Sequence, residues 1–237
     1  QRRSDRMKIG IIGAMDVEVA SLKEKMVISR TETYANMTFC EGTLGKTSVV
    51  IVKSGICKVN AAMCVQLLVD HFEVTHIINT GVAGSLDNAI NIGDIVVSTD
   101  AQYHDVNATV FGYQMGEVPQ MGIVAFPADP GLRAAAVRAV GQAAPDVAVF
   151  EGQVLSGDQF ISTRARKEEL MRDFHGKCTE MEGAAIAQAS YANKIPYVII
   201  RAISDKADES VVESYDAFEA KAAVHCANIV EYMVSHM

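Results

Sequence analysis

Basic clusters are missing from this chain. Over 237 residues, 21 Lys and Arg face 29 Asp and Glu, for a formal net charge of −8. The cations are scattered, so the electrostatic footprint of a nucleic-acid-binding surface is absent. Long apolar runs are missing as well. They reach about six residues, far short of the roughly 18–20 that span a bilayer, so no membrane segment is expected. The opening QRRSDR is charged and no long apolar stretch follows, so no secretory leader is expected either. Met7 reads as the natural start, which makes residues 1–6 an extension or tag remnant. The five cysteines (Cys40, Cys57, Cys64, Cys178, Cys226) form no CxxC, and the six histidines form no HExxH or Cys/His pairing. Reduced cytoplasmic thiols are expected, and no metal site or cofactor. There is no GxGxxG, no P-loop and no GxSxG.

What is present is a chain that is 49% hydrophobic, enough for a packed globule. Short apolar runs alternate with helical patterns along its whole length. KIGIIGAM is a buried strand, followed by a helix from Asp16 to about Met26. Residues 38–41 and 46–53 flank Gly42–Gly45 as a hairpin. A helix over residues 59–72 carries Val59, Met63, Leu67 and Val69 as its apolar positions. Further strands are expected at 76–79, 93–98 and 147–156. Residues 100–125 form a long irregular stretch whose aromatics suit the cover of a pocket or a partner subunit. Helices follow at 130–143 and 164–174. The segment 177–206 then gives an approach ending in Glu180-Met181-Glu182, a small-residue helix, a turn at Pro196, and a strand ending in Ser204-Asp205. A last helix covers residues 215–233, with Phe218, Ala222, His225, Ile229 and Met233 on one face. No linker or repeat divides the chain. One α/β domain, residues 7–237, is expected, with a mixed, largely parallel twisted sheet flanked by helices.

In such sheets ligands bind beyond the carboxyl ends of the strands. Polar and glycine residues gather there: 15–18, 54–56, 80–84, 157–161, 180–182 and 204–205. Glycines at 81 and 84 allow close backbone approach to a ligand. The acids on this rim are Glu18, Glu182 and Asp205, with no nucleophile–base pair beside them. Cys57 has no histidine placed next to it. Each acid also has a plain structural reading: helix-start chemistry for Asp16, Glu18 and Glu182, and a cap or turn for Asp205. Carboxylates suit cleavage at a sugar anomeric carbon. That reaction needs a general acid on the leaving group and a base for water. A further carboxylate can hold a ribose diol.

Eight stretches in order carry a resemblance: GIIGAMDVEV, SGICKVNAA, NTGVAGSL, GDIVVSTDAQYHD, FGYQMGEVP, SGDQFI, EMEGAAIAQ and RAISDKAD. Together they resemble the 5′-methylthioadenosine/S-adenosylhomocysteine nucleosidases, within the wider nucleoside phosphorylase family. The resemblance covers essentially residues 7–237. It implies a hydrolase that releases adenine from these nucleosides, in methionine salvage and methyl-cycle recycling. It gives Glu18 the activation of water and Asp205, with Ser204 beside it, the protonation of adenine N7. Glu182 would hold the ribose hydroxyls, with Met181 against the sugar and Arg201 orienting the carboxylate. Phe160 would stack on adenine and Ile161 would bond the base through its backbone. Met15, Ile56 and Tyr215 would line the 5′-thio end. Phe111 and Pro119 would be lent by a partner subunit, which makes the chain a homodimer whose 103–119 loop reaches across. Departures from the family pattern are Val82 for Ser, Cys57 for Gly, Tyr215 for Phe and Gly183 for Ala or Thr. The alternatives are a phosphorylase of the same fold, a hydrolase of aminofutalosine or 5′-deoxyadenosine, and a non-catalytic nucleoside-binding protein.

Overall fold

The computed structural model describes residues 6–237. The expected extension therefore lies outside the described residues, apart from Arg6. In chain order the elements are β1 (Lys8–Gly13), α1 (Asp16–Lys25), β2 (Val27–Tyr34), β3 (Met37–Leu44), β4 (Thr47–Lys53), α2 (Lys58–Phe72), β5 (His76–Ser85), β6 (Ile95–Tyr103), β7 (Phe126–Pro127), α3 (Pro130–Ala143), β8 (Val149–Ser156), α4 (Arg164–Asp173), β9 (Gly176–Glu180), α5 (Gly183–Ala192), β10 (Tyr197–Asp205) and α6 (Val211–Ser235).

These strands form a single mixed sheet in the order β10-β6-β8-β9-β5-β1-β4-β3-β2, with β7 on β6. Because β10 also pairs with β5, the first five strands of that order close on themselves. The β1–β4, β1–β5, β5–β10, β6–β8 and β8–β9 ladders are parallel. Antiparallel pairs join β2–β3, β3–β4, β5–β9, β6–β7 and β6–β10.

Burial on both faces explains why the central strands read as unbroken apolar runs. In β10, Val198, Ile200 and Ala202 pack with α1, α3 and α6, whereas Tyr197, Ile199 and Ile203 pack with α2 and α5. α3 starts at Pro130 behind Asp129, whose carboxylate accepts from Leu132 N–H, a combination that suits a helix start.

Several expectations shift. The hairpin turn is tighter than expected, since β3 runs through Gly42 to Leu44. The strand expected at 76–79 is longer than expected: residues 80–85 are the second half of β5. Segment 176–180 is a strand paired on both sides. The face expected for α2 is rotated: its buried residues are Ala61, Cys64, Val65, Leu68 and Phe72. Val59 and Met63 stand 70% and 39% exposed. α2 packs on alanine-rich α5, with Leu67 and Val69 partly buried at the edge of that contact. In α6, Ala222, Ile229 and Met233 are buried as expected, but Phe218 is exposed. Among the described residues no helix is long and apolar enough to cross a membrane.

Candidate active site

A pocket of about 580 Å³, including its mouth, opens where β1, β5, β8, β9 and β10 end. It is lined by Met15, Glu18, Ile56, Val82, Phe160, Ile161, Met181, Glu182, Arg201, Ser204, Asp205 and Tyr215, together with Ala14, Ala83, Gly84, Gln159, Thr179 and Glu180. Of the residues expected at the site, Phe111 and Pro119 alone are absent from this wall. Both are exposed, Phe111 to 80%.

Glu18 sits in the first turn of α1, yet it is buried. Its Oε1 accepts from the N–H groups of Ala14 and Met15, and its Oε2 from Val82 N–H at 2.9 Å. It therefore performs the helix-start chemistry and also reaches across to β5. Its neighbour Asp16 stays on the surface, paired with Lys53. Glu182 precedes α5 without capping it. Its Oε2 accepts from Cys57 N–H at 3.0 Å instead. The helix-start role expected of Glu182 belongs to Glu180, whose carboxylate accepts from Gly183 N–H and from Ser156 Oγ.

Arg201 joins these acids. It rises from the middle of β10 and is 2% exposed. Its NH2 lies 2.5 Å from Glu180 and 3.5 Å from Glu182 Oε1, and its NH1 lies 3.8 Å from Glu18. Nε and NH2 donate to Asn79 Oδ1, and NH1 donates to Val82 O. Its tightest ion pair is thus with Glu180, not with the expected Glu182. The sequence reading assigned no role to Glu180 or Asn79. Asn79 had a signal: a polar residue inside the apolar run His76-Ile77-Ile78 must find partners when buried.

The expected purpose of the glycines is corrected. Arg201 pairs in register with Gly81, and Asp205 with Gly84, across a register shift between Ile203 and Asp205. A Cβ on Gly81 would lie 2.0 Å from Glu18 Oε2, and one on Gly84 would lie 2.7 Å from Asp205 Oδ1. These glycines make room for the protein's own carboxylates.

Asp205 is buried; its Oδ1 accepts from Ala207 N–H at 2.8 Å and its Oδ2 from Ser204 Oγ at 3.0 Å. Burial raises its pKa, against the pull of those donors. Burial also raises Glu18, opposed by Arg201 and by the Val82, Met15 and Ala14 N–H groups. Glu182 is pushed up to about 7: burial outweighs Arg201, and the Glu180 charge adds repulsion. Burial works against the charge on Arg201, and Glu180, Glu18 and Glu182 more than restore it. One guanidinium thus faces three carboxylates and offsets the burial of Glu18 and Glu182 only in part. At the mouth, Phe160 meets Tyr215 edge-on at 5.4 Å, and the Tyr215 hydroxyl lies 3.8 Å from Met15 Sδ. Among the described residues no group of His, Cys, Asp and Glu is placed to hold a metal ion.

The pattern of the phosphorylase superfamily matches residues 8–235. The 5′-methylthioadenosine/S-adenosylhomocysteine nucleosidase of Halalkalibacterium halodurans is 45% identical over 97% of this chain and 99% of its own. The nucleosidase of that name from Neisseria meningitidis, solved with methylthio-immucillin-A, superposes with a TM-score of 0.93 at 38% identity, covering 97% of this chain and 99% of its own. The futalosine hydrolase of Helicobacter pylori superposes with a TM-score of 0.92 at 30% identity, over 98% of both chains. With likeness over nearly the full length, and the acids expected from the eight sequence stretches gathered in one pocket, the chain belongs to the phosphorylase superfamily and, within it, to the 5′-methylthioadenosine/S-adenosylhomocysteine nucleosidases.

Proposed function

We propose that this chain hydrolyses the N-glycosidic bond of 5′-methylthioadenosine and S-adenosylhomocysteine, releasing adenine and the thioribose product. The observation that carries this reading is the joint presence of Glu18, Glu182 and Asp205 around one pocket whose single lining cation among the described residues, Arg201, is already engaged. A phosphorylase needs free Arg donors for its anion. Here the acids would repel phosphate and suit water.

The roles follow from the local chemistry. Glu18 Oε1 has two N–H donors and Oε2 has one, so Oε2 keeps an open acceptor position for a water proton. Burial makes Glu18 a stronger base than an exposed glutamate, and its three N–H donors favour the ionised form. Burial helps Asp205 carry a proton for adenine N7. As water attacks C1′, Glu18 takes its proton, the C1′–N9 bond breaks toward the base, and Asp205 delivers its proton to N7. Adenine then leaves neutral rather than as an anion. Glu182 accepts from the ribose hydroxyls, with Met181 beside the sugar and Arg201 holding the carboxylate. Ser204 steadies Asp205. Phe160 and Ile161 take the base, and Met15, Ile56 and Tyr215 take the 5′-thio group.

The same reading makes residues 7–237 a single nucleosidase domain and a cytoplasmic homodimer. The five free cysteines suit a reducing compartment. The exposed apolar side chains of Ile56, Val59, Val110 and Phe111 suit a subunit contact. The likeness to a futalosine hydrolase keeps aminofutalosine among the substrates to compare.

The test measures adenine release from methylthioadenosine, S-adenosylhomocysteine, 5′-deoxyadenosine and aminofutalosine, each with and without phosphate. Release from the first two in phosphate-free buffer is expected. Strict phosphate dependence, or activity confined to aminofutalosine, would overturn the proposal.

A further inference from the structure

Cys57 has φ 79° and ψ 168°, a backbone region reserved in practice for glycine. A side chain persists there only where its surroundings force it. Those surroundings are polar and specific. Cys57 N–H donates to Glu182 Oε2 at 3.0 Å. The next N–H, that of Lys58, donates to Asp158 Oδ1 at 2.9 Å. Asp158 is itself held, since its N–H donates to Asp105 Oδ2 at 2.9 Å. Lys58 Nζ closes the ring by donating to Asp105 Oδ1 at 2.9 Å, over the Tyr103 face. Burial, and after it the nearby Asp158 carboxylate, push the Cys57 thiol up.

Two successive N–H groups at the start of α2 thus bind two carboxylates. One carboxylate, that of Glu182, lines the pocket, and the other sits on the loop that carries Phe160. We propose that Asp158 is a positioning residue for Glu182: by binding Lys58 N–H it holds Cys57 in the glycine-like conformation that aims Cys57 N–H at the Glu182 carboxylate. Without Asp158, Cys57 relaxes to an ordinary backbone conformation and its N–H turns away. Glu182 then loses a donor that orients it, and ribose binding weakens. The inference rests on Glu182 being the ribose ligand.

The test is a cycle of Asp158→Ala with Cys57→Gly and Cys57→Ala, read as KM and kcat for methylthioadenosine and as melting temperature. Asp158→Ala alone is expected to raise KM about tenfold, the scale of one hydrogen bond to a charged group, with kcat changed less than about threefold. In Cys57→Gly, where the conformation needs no forcing, the same substitution is expected to raise KM less than about twofold. Cys57→Ala removes the thiol but keeps the Cβ, so it should leave the tenfold effect in place. A merely structural Asp158 would lower the melting temperature in all three backgrounds and leave KM unmoved, which overturns the inference. An equal KM penalty in the Gly background overturns it too. A wild-type protein that releases no adenine refutes the nucleosidase reading instead.

Discussion

As the proposed general acid, Asp205 has to hold a proton at a pH where an exposed aspartate has lost it. Ala207 N–H and Ser204 Oγ both favour the ionised form, so burial has to supply the opposite push. Asp205→Asn keeps the shape and removes the transferable proton. Turnover is expected to fall by about 10²–10⁴, the usual worth of a general acid, with the fold retained by circular dichroism. The stability effect has a definite sign. A carboxyl whose folded pKa is raised favours the fold while protonated, and that contribution is lost as pH climbs above the ordinary 3.8 and through the shifted value. Asn carries no such loss. The variant should therefore melt with the wild type near about pH 4 and above it at about pH 8, by roughly 2–4 °C for each kcal/mol relieved. A variant less stable at the higher pH would show that Asp205 is better ionised in the fold. Glu18 and Asp205 were readable as rim residues because each follows an apolar run, and Glu182 because it ends the approach to a small-residue helix. Glu180 was not, because its role depends on β9 pairing beside Ser156 and on α5 starting at Gly183, both set by packing distant in sequence.

β5 and β10 are the elements that make the acids compatible. Their register sets Gly81 opposite Arg201 and Gly84 opposite Asp205. A short apolar strand ending in glycines was visible in the sequence, but the glycines pointed toward a ligand rather than toward side chains from α1 and β10. The face of α2 is turned from the expected one for a related reason. A 3.6-residue period identifies a helix, but which face turns inward depends on what it packs against, and α5 offers alanines. β2 escaped notice because Val27–Tyr34 is mostly exposed and carries five polar or charged residues in a row, Ser29, Arg30, Thr31, Glu32 and Thr33. Gly81→Ala tests the argument from register. The added methyl, 2.0 Å from Glu18 Oε2, must displace that carboxylate from Val82 N–H. Hydrolysis is expected to drop about 10²-fold or more, as for loss of a positioned base, while the melting temperature shifts by a few degrees. Near-wild-type turnover would mean that Glu18 does not act from its observed place.

At the scale of the whole molecule, the five-strand closure brings β8, β9, β5 and β10 around one opening, a consequence of pairings no local pattern encodes. The residues outside that opening pose the remaining question. Val110 and Phe111 stand 84% and 80% exposed on a loop rich in apolar groups, an unusual cost for a surface that stays wet. If Phe111 serves the pocket of a second copy, a two-fold dimer makes the lending reciprocal. Phe111→Asp should then lose activity through both pockets, although each retains Asp205. Asp205→Asn should lose it too, although each protomer still offers Phe111. Mixed, the two inactive variants form heterodimers in which one pocket has an intact Asp205 and receives an intact Phe111. Random pairing of equal amounts puts half the dimers in this class with one good pocket each, so activity should recover to about a quarter of wild type. Recovery should rise with time after mixing, at the rate of subunit exchange. A chain that completes its own pocket gives no gain over the sum of the two variants, and a monomer by sedimentation removes the premise altogether.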